Sequence, residues 1–250
     1  EMLSGDWSSD VCSSDLMGAP GEAEPLLADA LAILEKIQGP EHPETAKALN
    51  NLAVLYDSMG AYAKAEPLYM RALATSENAN GPWHPQTASS LNNLAVLYVS
   101  TGAYAKAKPL YVRALGIHEV ALGPQHPRIA VSLNNLAQLF RAMGAYAEAV
   151  PFATRALEIR EATLGDNHPD TALNLNSLAG LYVHIGAYAK AEPLYRRAQA
   201  INEKALGHEH PLTAQSLNNL AVLYYSMGAY AKAEPLNTRA LSIYDKALGP

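Results

Sequence analysis

Histidine is the side chain best suited to bind a metal ion or move a proton near neutral pH, and in this chain it recurs at a fixed interval. Two neighbouring copies lie one 42-residue unit apart, too far to share an ion whose bonds to nitrogen are about 2 Å long. We therefore expect no metal site, and we interpret these residues as helix-start or loop-packing residues. Each is followed by proline: His42, His84, His126, His168 and His210.

Asparagine forms a second recurrent column. Its side chain carries a donor and an acceptor, which match the two polar groups of a peptide bond, so a ladder of asparagines could hold an extended backbone. The alternative is that these residues bond neighbouring helices or face water. The first column is Asn50, Asn92, Asn134, Asn176 and Asn218, and the next position is Asn51, Asn93, Asn135, Ser177 and Asn219.

Neither column is accompanied by the arrangements that carry out catalysis. The sequence has no glycine-rich phosphate loop, no nucleophile–base pair and no paired acids. Near-identical copies are also a poor way to build one asymmetric active site. We therefore expect a protein that is not an enzyme, with no catalytic residue and no cofactor.

The charge of the chain argues against nucleic acid as a partner. The formal net charge is −6, and residues 1–16 hold four acidic residues without any lysine or arginine, which leaves −2 for the repeats. Nearly neutral repeats lack the basic stripe that binds phosphates. No run approaches the ~18 apolar residues of a membrane helix. The repeats contain no cysteine, in keeping with a reducing compartment, so we expect a cytoplasmic protein without membrane contact.

The N-terminal segment matches no repeat. Residues 6–16 resemble the conceptual translation of a sequencing-library adapter, and they hold Cys12, the only cysteine. We expect residues 1–16 to be non-native or disordered. The last residues, Gly249 and Pro250, stand where earlier units continue into another helix. We therefore expect the chain to be a fragment at both ends.

Each unit predicts two helices. The first, helix A, is predicted over about residues 43–59 by an apolar stripe at i, i+3, i+4 and i+7, with a proline at its start and Gly60 after its end. A second stripe from Tyr62 to the glycine at 81 predicts helix B, with a bend at Pro67. Arginines on helix B are expected to pair with carboxylates or carbonyls of neighbouring units. The helix A stripe is Leu49, Leu52, Ala53 and Tyr56.

The repeated unit resembles tetratricopeptide repeats, in the 42-residue form of kinesin light chains and many bacterial repeat proteins. The resemblance rests on His-Pro-x-Thr-Ala, Leu-Asn-Asn-Leu-Ala-x-Leu-Tyr and Gly-x-Tyr-x-x-Ala-x-Pro-Leu. It implies an all-α fold, a right-handed superhelical α-solenoid of antiparallel helix pairs. The repeat array would span 17–250, with a half repeat at 18–39 and full repeats at about 43–81, 85–123, 127–165, 169–207 and 211–249.

The resemblance also implies a function. In this family the A helices line a concave groove that holds an extended peptide or a partner helix. We therefore expect a protein-interaction scaffold with a protein or peptide ligand. The implied contact residues are Asn50, Asn51, Val54, Asn92, Asn93, Val96, Asn134, Asn135, Gln138, Arg141, Asn176, His184, Asn218, Asn219, Val222 and Tyr225.

Two other interpretations stay open. Bacterial arrays of this kind are often joined to an effector domain, so the chain could be the regulatory or sensory arm of a larger signalling enzyme. Self-association is the other, because neither end carries a polar capping helix and a terminal apolar stripe would lie exposed.

Overall fold

A computed structural model describes residues 20–248, and in this part of the chain all regular secondary structure is α-helical. The predicted N-terminal segment 1–16 with Cys12, and the terminal Gly249 and Pro250, lie outside the described residues. The helices are α1 (Pro20–Ile37), α2 (Pro43–Ser58), α3 (Tyr62–Asn80), α4 (Pro85–Ser100), α5 (Tyr104–Leu122), α6 (Pro127–Ala142), α7 (Tyr146–Leu164), α8 (Pro169–His184), α9 (Tyr188–Leu206), α10 (Pro211–Ser226) and α11 (Tyr230–Leu248). Even-numbered helices are the A helices, and odd-numbered helices are the B helices.

Every A helix begins with the same cap. His42 precedes α2, and its ring Nδ1 accepts a hydrogen bond from the Glu44 N–H at 3.2 Å. Pro43 takes the first helical position, where its missing N–H costs nothing. His84, His126, His168 and His210 cap their helices in the same way. The recurrent histidines therefore have a structural use at the helix start.

The A helices also end in one way. At the end of α2 the Gly60 N–H donates to the Asp57 carbonyl at 2.9 Å, and the Ala61 N–H donates to the Tyr56 carbonyl at 2.8 Å. This pair of bonds closes the helix when one residue is left-handed, and Gly60 has a φ of 69°. The turn reverses the chain within three residues, which sets helix B antiparallel to helix A.

The B helices continue through their internal proline. Pro67 lies inside α3, which runs unbroken from Tyr62 to Asn80.

A threonine links each B helix to the A helix that follows it. The Thr87 hydroxyl at the start of α4 donates to the Gly81 carbonyl at the end of α3 at 2.8 Å. The same bond recurs at Thr45, Thr171 and Thr213.

The predicted arginine pairs link successive B helices. Arg71 of α3 lies 2.6 Å from Glu35 of α1, and Arg113 of α5 lies 2.6 Å from Glu77 of α3. Arg155, Arg197 and Arg239 make the corresponding pairs with Glu119, Glu161 and Glu203. These side chains are partly exposed, so each pair adds at most about 1 kcal/mol. Together they orient each B helix against the one before it.

The described helices pack as two compact units, one ending at Ile117 and the other beginning at His118. In the first unit, hereafter unit 1, Leu49 of α2 packs with Leu31 of α1 and Ala72 of α3. A second cluster joins Leu91 of α4 to Ile117 of α5. Apolar groups of three successive helices thus share each cluster.

The second unit, unit 2, is built in the same manner. Leu217 of α10 packs with Ala240 and Ile243 of α11, and a larger cluster joins Ala179 of α8, Tyr195 of α9 and Ala221 of α10. The all-α solenoid of antiparallel helix pairs predicted from the sequence is confirmed. Along the described helices, none has the length and apolar character to cross a membrane.

Leu133 and Val131 of α6 offer a matched test of this packing. Leu133 is 1% exposed and Val131 is 44% exposed on the same helix. We expect Leu133→Ala to lower the free energy of unfolding by about 2–5 kcal/mol, because it leaves a cavity in a shared core. Val131→Ala should change it by less than about 0.5 kcal/mol. Urea titration followed by circular dichroism measures both, and equal losses would show that α6 does not bury the Leu133 stripe.

Candidate functional site

The candidate site is the surface formed by five register positions on each A helix, those of Asn50, Asn51, Val54, Asp57 and Ser58 in α2. We call it the A-helix surface and describe it within each unit. On another side of α2, Leu49 and Leu52 pack on the B helices α1 and α3.

The Asn50 column lies deeper than an open peptide-binding ladder would. Asn50 is 6% exposed, and its Nδ2 donates to the Ser90 hydroxyl of α4 at 3.1 Å. Ser90 in turn lies 3.0 Å from the Ser76 hydroxyl of α3. Asn93 reaches back to the Asn50 Oδ1 at 3.4 Å. In unit 1 this asparagine therefore bridges successive repeats.

Unit 2 shows the same bridges with different partners. Asn134 of α6 donates to the Asn174 Oδ1 of α8 at 3.1 Å, and Asn176 of α8 donates to the Ser216 hydroxyl of α10 at 3.3 Å. Asn218 of α10 is exposed. The Asn92 Oδ1 in unit 1 is buried without a hydrogen-bond partner among the described residues. The column thus combines bridging members with members whose polar groups are unused.

The Asn51 column lies nearer to solvent. Asn51, Asn93, Asn135 and Asn219 are half-buried, and Ser177 is exposed. The Ser177 hydroxyl donates to the Leu173 carbonyl of its own helix at 3.0 Å. Amide groups of this column are therefore accessible from the A-helix surface.

Apolar side chains occupy the next exposed position. Val54 is 42% exposed and Val96 is 41% exposed, at the same register of α2 and α4. In unit 2 Val222 is 51% exposed, and the Tyr225 ring lies edge-on to the Tyr230 ring at a centroid distance of 5.2 Å. Two helices of unit 1 and the end of unit 2 thus present apolar groups to solvent.

The polar members of unit 2 are held by neighbours. Arg141 donates two hydrogen bonds to the Gln138 Oε1, at 3.1 and 2.7 Å. The His184 ring stacks on the Tyr146 ring at a centroid distance of 4.2 Å. Both arrangements engage exposed side chains of the A-helix surface with neighbouring side chains.

The sequence profile of the tetratricopeptide repeat matches residues 16–78, 59–119, 86–162, 146–204 and 170–246, which together span most of the chain. The chain belongs to the tetratricopeptide repeat family. No curated protein sequence matches it.

Solved structures agree with this assignment. BtubC (BKLC) from P. vanneervenii is similar with a TM-score of 0.78 and 25% identity, over 95% of this chain and 94% of that one. A putative kinesin light chain from Podospora anserina with nearly identical TPR-like repeats is similar with a TM-score of 0.74 and 28% identity, over 82% of this chain and 98% of that one. The repeats therefore have the kinesin-light-chain-like form.

One more distant structure shares the fold alone. It is a signal transduction ATPase with numerous domains from Pyrococcus horikoshii, described as having a tetratricopeptide repeat sensor. The TM-score is 0.66 at 19% identity, over 92% of this chain and 34% of that one.

One group near the A-helix surface of these repeats was not predicted from the sequence. Gly180 of α8 stands at the register of Val54, and a Cβ added there would lie 3.5 Å from the Tyr195 hydroxyl of α9. Tyr195 belongs to a B helix, so its column gives no sign of facing this surface. The only signal in the sequence is the missing side chain at Gly180.

Asp57 is the acidic group of the A-helix surface whose proton affinity is altered by its surroundings. Burial raises the pKa of this carboxyl above its ordinary value. Asp57 also lies in the last turn of α2, where the helix dipole disfavours a negative charge. An ionised carboxylate here therefore opposes folding.

Replacing Asp57 with asparagine should therefore stabilise the protein in a pH-dependent way. A pKa that is higher in the folded state than in the unfolded state means that stability falls as the pH rises through that range. We expect Asp57→Asn to raise the midpoint of thermal unfolding at pH 7, and this gain should shrink as the pH falls and Asp57 becomes protonated. Melting curves between pH 7 and pH 3 test this, and a gain independent of pH would contradict it.

The bridging role of Asn50 is also testable. We expect Asn50→Ala to lower the free energy of unfolding by about 1 kcal/mol, because the buried Ser90 hydroxyl loses its donor and the Asn93 amide loses its acceptor. Asn218→Ala, at the same register but exposed, should be nearly neutral. Urea titration of the two variants compares them directly, and equal effects would rule out the bridge as a source of stability.

Proposed function

We propose that this chain is a protein-interaction scaffold whose A-helix surface binds an extended peptide or a partner helix. Tetratricopeptide repeats typically bind protein partners, and the fold is generally non-catalytic. The proposal for this chain rests on what its A helices present to solvent.

The observation that carries the proposal is the exposure of valine at one register on neighbouring helices. Val54 and Val96 are more than two-fifths exposed, although α2 and α4 have buried stripes that could have held them. A single exposed valine needs no explanation, but a repeated one marks a surface from which a partner can remove apolar area. Val222 extends the pattern to unit 2.

Half-buried amides beside these valines supply the polar part of such contacts. Asn51 and Asn93 lie one helical turn before Val54 and Val96 on the two helices. At about 1 kcal/mol net per hydrogen bond, three or four amide contacts together with the buried valines support micromolar binding after ordering costs. The arrangement favours a peptide whose main chain contacts the asparagine amides and whose hydrophobic side chains lie between these contacts.

We propose a cytoplasmic location and no nucleic-acid partner for the same scaffold. The nearly neutral repeats offer little phosphate-binding charge, and the repeat region contains no cysteine. No catalytic residue, metal or cofactor enters the proposed function.

A second candidate function is that of a regulatory or sensory arm of a larger signalling enzyme. The observation that favours it is the fold shared with the Pyrococcus horikoshii ATPase, of which this chain matches 34%. Sequencing the reading frame on both sides of the repeats tests it. An adjoining nucleotide-binding domain would support this role, and a frame that contains only repeats would contradict it.

Peptide display tests the scaffold. An unbiased library of short linear peptides is panned on the natural chain and on two double variants. The A-helix variant is Val54→Lys/Val96→Lys. The matched control is Val112→Lys/Val120→Lys on α5, which is a B helix. All four valines are exposed, so each variant should fold, which circular dichroism checks. We expect the A-helix variant to lose at least about tenfold in affinity for enriched peptides, because lysine removes apolar contact and must be desolvated.

The control variant should bind these peptides like the natural chain. Equal binding by the A-helix variant would place the peptide elsewhere and contradict the proposal. Light scattering of the three proteins separates self-association from peptide binding, because loss of a dimer in the A-helix variant alone would make a second copy the partner instead.

A further inference from the structure

Helix α1 carries two apolar stripes, and only one of them packs inside unit 1. Leu27 and Leu31 of the inner stripe pack with Leu49 and Leu52 of α2. The outer stripe faces solvent, and its three large side chains are 69%, 56% and 74% exposed in chain order. We call the outer stripe the α1 seam; its residues are Leu26, Ala30, Ile33 and Ile37. Several large aliphatic side chains exposed on one helix face indicate an interaction surface, whereas a single one does not.

The spacing of the seam is that of a helix that pairs with another helix. The steps between its residues are four, three and four, which is the alternation of the a and d positions of a heptad repeat. Such a stripe packs against a second helix with the same spacing, because side chains of one helix insert between those of the other. Within the described residues the seam is left to solvent.

Two opposite charges flank the seam on one side. Asp29 and Lys36 each stand directly before an a position, which is the g position of the heptad. Both side chains are exposed, and in the part of the chain that the structure describes neither forms an ion pair. By contrast, Glu35 of the same helix pairs with Arg71 of α3. The flank of the seam thus offers one free carboxylate and one free ammonium group.

These two charges distinguish the directions in which a second α1 helix could lie. In a parallel pair g positions face e positions, which here are the half-buried Leu27 and Leu34, so the charges would meet apolar groups. In an antiparallel pair g positions face each other. The register that sets Ala30 against Ile33 of a second copy also sets Asp29 against Lys36 of that copy. A two-fold axis repeats the pair, so the surface is complementary to itself.

We propose that the chain forms a two-fold dimer through an antiparallel pair of α1 helices. Leu26 packs on Ile37 of the second copy, Ala30 packs on Ile33, and symmetry forms each layer twice. Two ion pairs between Asp29 and Lys36 close one side of the seam. This inference goes beyond the proposed function, because α1 is a B helix and the seam contains no residue of the A-helix surface.

The charges also oppose another way in which two copies could meet. Stacking α1 of one copy on α11 of another would continue the ion pairs that link successive B helices. At the register of the arginines, such as Arg71 of α3, α1 has Asp29 instead. At the register of the glutamates α11 has Asp245. Continuing the array would therefore place Asp29 beside Asp245 of the other copy, and like charges repel.

Sedimentation velocity of the full chain over about a hundredfold range of concentration tests the dimer. The seam variant is Ile33→Lys, and the matched control is Leu241→Lys on α11. Both residues are more than half exposed, so each variant should fold, which circular dichroism checks. We expect the natural chain and the control to dimerise equally well. Ile33→Lys should raise the dissociation constant at least about a hundredfold, because the two-fold axis brings two lysines into the seam.

A charge swap tests the antiparallel order. Asp29→Lys places lysine opposite lysine, and Lys36→Asp places aspartate opposite aspartate. We expect either single change to raise the dissociation constant about three- to tenfold, because both ion pairs become repulsive. The double variant Asp29→Lys/Lys36→Asp should restore the dissociation constant of the natural chain, because it reverses each pair and keeps the attraction.

Other outcomes would contradict the dimer. A natural chain that is monomeric at every concentration would overturn the proposal and leave the seam to another partner. A dimer that survives Ile33→Lys but is lost in Leu241→Lys would overturn it in favour of a contact through α11. A double variant that dimerises no better than the two single variants would rule out the antiparallel pair.

Discussion

The structure depends on the close approach of helices that share their cores. Ala53 and Ala65, and their counterparts Ala95 and Ala107, are completely buried at positions where any larger side chain would push neighbouring helices apart. A helix pair of this size cannot bury its apolar stripe alone, so each pair depends on its neighbours for stability. This requirement holds the buried alanine and leucine positions of the A helices nearly constant from repeat to repeat, and it leaves variation to polar and exposed positions.

Polar groups inside the shared cores add specificity to this packing. The B-helix position of Ser76 is His118 and Asn202 in later repeats, and the facing A-helix serines, Ser132 and Ser216, bond them at 2.9 Å in unit 2. A buried polar group needs a hydrogen-bond partner. Each repeat therefore packs better against the neighbour that supplies this partner than against a repeat that does not. The interfaces are therefore alike in apolar packing and different in their hydrogen bonds.

The helices could be predicted from the sequence almost to the residue, because their ends depend on local chemistry. A histidine cap and a proline begin each A helix, and a left-handed glycine such as Gly60 ends it. The bridge from Asn50 to Ser90 could not be predicted in the same way. Its partner, Ser90, lies on the next A helix. Whether the two side chains come within bonding distance depends on the angle at which two repeats pack. A hydrogen bond to a neighbouring helix was one of the alternatives that the sequence left open for this column, beside contact with a peptide or with water.

Tyr195 was missed for a related reason. The Tyr195 hydroxyl lies beside Gly180 of the A-helix surface, and a pattern search follows side chains that are present. Glycine at position 180 leaves the buried stripe of α8 unchanged, with Ala179 and Leu178 enclosed. Sequence periodicity can thus identify the repeat that differs from the others. Which group lies beside the altered position depends on the packing of the neighbouring helix.

The division between constant core and variable surface has a consequence for recognition. Unit 1 repeats the same exposed residue at Val54 and Val96, whereas unit 2 places Gln138, Gly180 and Val222 at that register. Exposed substitutions cost little stability, so these differences can accumulate without weakening the solenoid. In unit 2 Arg141 and Gln138 also bond each other on this surface. A surface that repeats one residue discriminates poorly among partners, because every helix offers the same contact. Three different residues at one register can be matched together by few partner sequences. In the proposed scaffold, discrimination among partners would therefore belong to unit 2, and unit 1 would contribute affinity that is less dependent on sequence.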